Sequence, residues 1–462
     1  MKDLTQGSIP RTILAMAAPV AAGMIFQTLY LLVDLYFVAG LGDAAIAGVG
    51  AAGTLFFVIM ALSQVLGVSS VALISQAVGR KDQDQANLVF NQAMVLAAIC
   101  ALITLVGGYT LADSYMGTIA AGDAQAQGVK FLYYFLPGMA LQFAIMGMGS
   151  ALRATGIVKP TMMIQVITIL LNTILAPVLI IGIGTAPALG VMGAGLATTI
   201  SSTIGVAMLI AYFVKLEKYV SFQLPLWKPQ FAIWGRMFNI GLPAGGEMLL
   251  MFGYFAVVYW LIQDFGETAQ AGFSIGGRIM QSIFMPTMAI AFAVGPIAGQ
   301  NFGAGHGDRV RETCYKGILL SAIVMAIVTL LIQINPALLV AFFTDEELVI
   351  EAGGNFLRII SWNFVAQGII FTCSGMFQGL GNTRPAMLSS ASRLLIFIPM
   401  AVWASKQEGF NMNQVWYISV LSVTIQAVIS FLLVRKEFSL KLANLHPPAK
   451  PPEPPASAQP AA

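Results

Sequence analysis

From Ile13 to Ala39 the chain is apolar apart from a few uncharged polar residues and one carboxylate, Asp34. A short polar break, GLGD, then separates this run from the next. The alternation continues to about residue 435. It predicts spans near 11–39, 45–75, 86–113, 126–151, 161–184, 190–215, 236–263, 270–298, 312–334, 349–377, 386–406 and 414–435. Roughly 20 apolar residues in a helix cross a bilayer, and the longer runs fit tilted helices. Hydrocarbon offers no hydrogen bonds to backbone groups, so such runs must be helical. The expected fold is an all-α polytopic membrane protein with about twelve transmembrane helices.

The basic residues test that count. With the N-terminus inside, the inner breaks carry most of the Lys and Arg, from Lys2, Arg80 and Lys81 through Arg153, Lys159, Lys215 and Lys218 to Arg435, Lys436 and Lys441. The outer breaks carry only Lys130 and Lys406, while Arg278, Arg358 and Arg393 fall within spans. Cytoplasmic loops hold the excess of positive charge, so both termini are expected in the cytoplasm. An error in helix number would scramble the asymmetry.

Composition agrees. Hydrophobic residues make up 58% of the 462 and charged residues 9%, against about 25% charged in soluble domains. Glycine, frequent in membrane helices, occurs 46 times. A net charge of +3 argues for no nucleic-acid partner. Cys100, Cys314 and Cys373 are scattered, and His306 and His446 fall in a loop and the tail. Neither a metal cluster nor a disulfide framework is suggested. The N-terminus shows no signal-peptide cleavage pattern. No phosphate-binding GxxxxGK[ST] loop and no Ser/His/Asp set is present, so neither ATP-driven export nor enzyme chemistry is expected.

A repeat overlies the spans. SQAVGRKDQDQAN after the second matches GQNFGAGHGDRVR after the eighth, pairing Gln76 with Gln300 and Gly79 with Gly303. ALRATGIVKPTM after the fourth matches MFQGLGNTRPAM after the tenth, and AAPVAAGMI matches GLPAGGEML through Pro19 and Pro243. The offset is 224 or 225 residues each time. Six helices per half is an even number, so the halves enter the membrane from the same side, as parallel repeats of a rocking-bundle transporter do. The domains expected are an N-lobe over 1–216, a cytoplasmic linker over 217–235, a C-lobe over 236–437, and a Pro/Ala-rich disordered tail over 438–462.

These motifs, with QTLYLLVDLYFVAGLGDAAIAGVG and GLPAGGE, resemble the multidrug and toxic compound extrusion (MATE) family over about residues 8–436, closer to its bacterial DinF-like branch than to its NorM-like branch. The resemblance implies a twelve-helix, two-lobe antiporter of the bacterial cytoplasmic (inner) membrane. It would expel organic cations or other amphipathic drugs in exchange for H+ or Na+, with no further cofactor. Membrane lipid is its surroundings, and a monomer is expected.

Only two acids, Asp34 and Glu247, lie well inside spans, and an ionisable residue there is a functional candidate. Asp34 reads as a protonatable or Na+-binding group or as a helix-locking hydrogen bonder. The resemblance places the N-lobe carboxylate of the family here. Gln27 and Tyr30 share its helix face, and Asn172 and Thr198 are candidate partners, Asn172 being the amide that contacts this carboxylate in the DinF-like branch. That branch has a second Asp where this chain has Ala176, which favours H+ over Na+.

Glu247 follows Pro243 by four residues. The NorM-like branch carries its coupling Glu one turn further on, at Met251 here. Glu247 is therefore a candidate for coupling, drug-cation recognition or a structural bond. Arg278 is a candidate partner for it, a packing group, or a receptor for an anionic substrate group. Met248, Met251, Phe252, Tyr259, Met280 and Met285 are candidates for an adaptable cavity wall, although such residues also face lipid. The rival reading is a flippase of lipid-linked oligosaccharide or lipid II type. It is disfavoured because Arg358 and Arg393 lie near span ends, where they can snorkel.

Overall fold

A computed structural model describes residues 2–182 and 187–443, apart from the side chains of residues 27–36 and 39. The helices are α1 (Ile9–Ala39), α2 (Asp43–Gly79), α3 (Gln83–Ile119), α4 (Gly122–Ala154), α5 (Lys159–Pro177), α6 (Val191–Lys215), α7 (Phe231–Ile262), α8 (Glu267–Gly303), α9 (Gly307–Ile334), α10 (Pro336–Ala341), α11 (Glu347–Ile360), α12 (Phe364–Leu380), α13 (Arg384–Ser405) and α14 (Met412–Lys441). Among the described residues, twelve helical segments are long and apolar enough to cross a membrane. The protein is a multi-pass, all-helical membrane protein.

Three of the differences from expectation have a visible physical cause or consequence. The tenth span is α11 and α12 joined by a 3-10 turn at Ser361–Asn363. Side chains of α9 hold that break: Gln333 Nε2 donates to Arg358 O and to Ser361 Oγ, both at 2.8 Å, and Thr329 Oγ1 donates to Ser361 O at 3.0 Å. Hydropathy is blind to it because the freed backbone groups are satisfied from another helix. The linker is shorter than expected, since α7 already starts at Phe231. The tail starts later, because α14 runs to Lys441, whose Nζ donates to Leu380 O at 2.7 Å and pairs with Glu437 at 3.1 Å.

Packing follows the repeat. In the first half the fourth span, α4, lies against α2, α3 and α6, and in the second its repeat equivalent, α11 with α12, lies against α8, α9 and α14. Between the halves, α1 packs on α8 while α7 packs on α2, and α2 and α8 also meet. The α2–α7 seam is tight: a Cβ at Gly241 would lie 2.2 Å from Val65 O. It continues to Phe57 and Phe252, whose ring centroids are 5.1 Å apart.

Proline positions α4. Pro137 has no N–H to give the carbonyl of Tyr133, and Tyr109 Oη donates to that carbonyl at 2.9 Å instead. One residue on, Gly138 N donates to Thr199 Oγ1 at 3.0 Å, and Thr199 Oγ1 donates to Tyr134 O at 2.5 Å. A side chain of α6 is thus wedged into the α4 ladder, one of the ordinary causes of a kink.

Candidate functional site

A cavity of about 270 Å³ lies inside the first half, between α2, α4, α5 and α6. Its polar lining follows from helix periodicity. Thr161, Gln165, Thr168 and Asn172 are spaced four, three and four residues apart, which puts them on one face of α5. That stripe is about 16 Å long at 1.5 Å per residue. Ser63 of α2 and Thr198, Ser201 and Ser202 of α6 add hydroxyls, and Arg153 closes the end nearest the α4–α5 turn. Asn172 Nδ2 donates to Thr198 Oγ1 at 3.2 Å. Among the described residues, the side-chain oxygens of Ser63, Thr161 and Ser201 and the amide oxygen of Asn172 are buried without a hydrogen-bond partner. Such groups normally find one, so the cavity is built to receive a polar guest or water.

Of the residues singled out in the sequence, Asn172 and Thr198 line this cavity. The side chains of Asp34, Gln27 and Tyr30 lie outside the described residues, although α1 itself packs against α5. Ala176 is fully buried.

The second-half candidates lie elsewhere and do not converge on one pocket. Glu247 Oε2 accepts from Ser374 Oγ of α12 at 3.0 Å. Arg278 is not its partner: no ion pair joins them among the described residues, and Arg278 is exposed. The reason is topological, because α7 packs on α2 and α13 and barely meets α8. Phe252 spans the seam to Phe57, and Tyr259 packs edge-on to Phe273 with centroids 4.9 Å apart. Met280 packs on the apolar cluster of Tyr254, Phe273 and Trp416. Met248 and Met285 are half-buried, and Met251 is exposed. Arg393 does not snorkel to a span end. It sits mid-helix in α13 with its guanidinium carbon 3.7 Å from the centroid of the Tyr254 ring, and Tyr254 Oη in turn bonds Ser419 Oγ at 2.6 Å.

The two halves are tied at the end of the bundle that carries the N-terminus. Gln76 Nε2 donates to Gly379 O at 3.0 Å, and Gln300 Nε2 donates to Ala154 O at 2.8 Å. These are one contact made twice, since both the amides and their acceptors are repeat equivalents. Glycine is required beside them: a Cβ at Gly79 would lie 2.0 Å from Gln300 O, and one at Gly303 would lie 2.1 Å from Gln76 O.

Two straps reinforce the tie. Leu4 N donates to Gln300 Oε1 at 3.0 Å, Asn301 Nδ2 donates to Leu4 O at 3.2 Å, and Lys2 N donates to Thr155 O at 2.8 Å. The segment before α1 is therefore held by both halves. Within it the Thr5 hydroxyl, at 2.6 Å, and the Thr5 N–H, at 2.8 Å, hold the Asp3 carboxyl below the usual range. The segment before α7 is held by amides of α3. Asn91 Oδ1 accepts from Gln223 N and Trp227 Nε1, both at 2.9 Å, and its Nδ2 donates to Ser221 O at 2.9 Å. Asn87 and Gln92 make similar bonds to Ser221, Tyr219, Leu226, Lys228 and Gln230.

The sequence reading missed both straps, the Gln76 and Gln300 amides and the cavity role of Arg153. One signal was available. In QDQANLVFNQ, Gln83, Asn87 and Asn91 recur every four residues, an amide stripe at the start of a span.

The family model MatE matches residues 19–178 and 243–403. The chain is 25% identical over 387 residues to the multidrug export protein MepA of Staphylococcus aureus, covering 83% of this chain and 84% of that one. It is 24% identical over 421 residues to the probable multidrug resistance protein YoeA of Bacillus subtilis, covering 88% and 90%. Its fold is similar to a crystal structure of MATE in complex with MaL6, with a TM-score of 0.89, 24% identity, and 96% and 98% of the two chains covered.

Proposed function

This chain belongs to the MatE family, and from that premise we propose that it is a multidrug exporter working as a secondary antiporter. Relatives named for multidrug export match most of its length. The observation that carries the reading is the cavity within the first half, whose buried hydroxyls and amide oxygen lack partners among the described residues. A soluble amphipathic guest could desolvate its apolar body there and satisfy those groups. The tie at the N-terminal end supports alternating access, because it closes the path between the halves on that side.

In this reading the N-terminal end faces the cytoplasm of a bacterium, as the basic loops suggest. Residues 1–216 and 236–437 move as two lobes. Asp34 takes up a proton from outside and releases it inside, with Asn172 and Thr198 beside its helix. A proton is favoured over Na+ because Ala176 supplies no second carboxylate, and a sodium site wants several oxygen ligands. Glu247, held by Ser374, acts in coupling or in recognising the cationic part of the drug. A flippase reading is weaker: the cavity is small and lies within one half, and Arg393 is engaged by Tyr254 rather than free for a diphosphate.

The test is efflux of a fluorescent organic cation from proteoliposomes under an imposed pH gradient without sodium. Wild type should transport and Asp34→Asn should not, while both remain folded and inserted. Full efflux by the mutant ends the proposal for Asp34, and no response of the wild type to the gradient ends the proposal of proton coupling.

A further inference from the structure

We propose that the end of the first-half cavity next to the α4–α5 turn is an anion subsite, in which Arg153 receives a carboxylate carried by an exported molecule. The proposal rests on the export reading above and assigns a specificity-determining residue, the one that reads an acid group on the exported molecule.

Arg153 lines the cavity. Of its five N–H donors, Nη2 bonds Ser150 Oγ at 2.7 Å and touches Met146 Sδ at 3.9 Å, and the guanidinium lies 5.9 Å from the Phe292 ring centroid. Among the described residues no carboxylate reaches it, since the ion pairs are Arg311–Asp308 and Lys441–Glu437. Ser150 takes one hydrogen and leaves most of the planar fork unspent. Arg153 is partly buried and has no counter-ion among the described residues, so a bidentate anion would pair with it directly.

A second observation points to a ligand independently. Ser63, Asn172 and Ser201 line the same cavity, are at most 4% exposed, and each keeps a side-chain oxygen without a partner among the described residues. The site thus has a cation at one end, and along its length groups that can receive the N–H donors of an amine.

The geometry favours a carboxylate over a phosphate. A guanidinium fork matches two coplanar oxygens. A doubly charged phosphate would call for more cationic partners, and among the described residues lining the cavity Arg153 is the one that is charged. About 270 Å³ is near the lower end of pocket sizes for small organic molecules and is small for a lipid.

Dansylcadaverine and Nε-dansyl-lysine are a matched probe pair, the second being the first with a carboxylate added beside its amine. Their KM values are measured in proteoliposomes for wild type, Arg153→Gln and Arg153→Lys. The ratio of the two KM values within one preparation cancels differences in folding and insertion. Arg153→Gln should raise that acid-to-amine ratio about tenfold or more, the loss expected for a hydrogen bond between charged groups, and Arg153→Lys should recover part of it. A residue that only caps the C-terminal end of α4 would change both KM values alike, and an unchanged ratio overturns the proposal. So does a wild type that carries dansylcadaverine but not Nε-dansyl-lysine. A wild type that carries neither would instead sink the export reading, and the subsite with it.

Discussion

Replacing Gln300 by methionine should unlatch the two halves at the N-terminal end of the bundle. The side chain keeps its length and loses its amide. Two bonds disappear, the one donated to Ala154 O at 2.8 Å and the one accepted from Leu4 N at 3.0 Å. Ala154 and Leu4 are fully buried, so in the closed arrangement each is left with a backbone group that water cannot reach. An unsatisfied buried group costs about 1–3 kcal/mol, hence about 2–6 kcal/mol for the pair. In an open arrangement water reaches both groups and the penalty vanishes. The closed-to-open ratio should therefore fall by roughly thirtyfold or more. Gln76→Met removes one bond, to Gly379 O, and should shift the ratio less.

The assay is a spin–spin distance measurement across the tie. Asp84 and Asp308 are exposed repeat equivalents at that end and suit labelling once Cys100, Cys314 and Cys373 are replaced. The labelled parent should show one dominant short distance, and Gln300→Met should populate a longer one. An unchanged distribution, accompanied by a lower melting temperature, would refute the reasoning. It would mean that the amide stabilises a single rigid body rather than one of two states.

Three further outcomes follow from the geometry. Glu247→Gln keeps a hydrogen-bonding group beside Ser374 but cannot titrate, so pH-driven transport should fall at least about tenfold in proteoliposomes; unchanged rates for several cations would remove Glu247 from the site. Asn91→Ala strips partners from Ser221 O, Gln223 N and Trp227 Nε1. It should cost about 2–4 kcal/mol by denaturant unfolding in detergent and open the 217–230 segment to protease. Asp3 is held below the usual carboxylate range by Thr5, so its contribution to docking the N-terminal strap is present above about pH 4 and is lost as pH falls through the depressed value. Protease sensitivity of the strap should accordingly be flat from pH 5 to 8 and rise only below about pH 4.

Asp34 and Glu247 were visible as candidates because a carboxylate inside an apolar run is conspicuous by its cost. The partner of Glu247 was not. Arg278 is plausible on charge alone, but α7 barely meets α8, and Ser374 of α12 takes that place. Arg393 was misplaced for a similar reason. Hydropathy treats a cation as a liability to be moved to a span end, whereas the ring of Tyr254 from another helix accommodates it mid-span. Arg153 read as one more inside charge until four helices closed around it.

What the bilayer and gene duplication impose is legible in the sequence: about twelve helices, a sidedness expected from the basic loops, and a repeat offset by 224 or 225 residues. Those features are local or periodic, since each span must satisfy its own backbone and hide from water residue by residue. The break in the tenth span, the cavity, the tie and the straps arise only when the chain folds. Each is made by polar groups meeting from far apart in the chain, with Gln300 and Leu4 separated by 296 residues and Gln76 and Gly379 by 303. A hydrogen bond depends on a distance of about 3 Å and a direction, and neither leaves a mark on the hydropathy of the segments it joins.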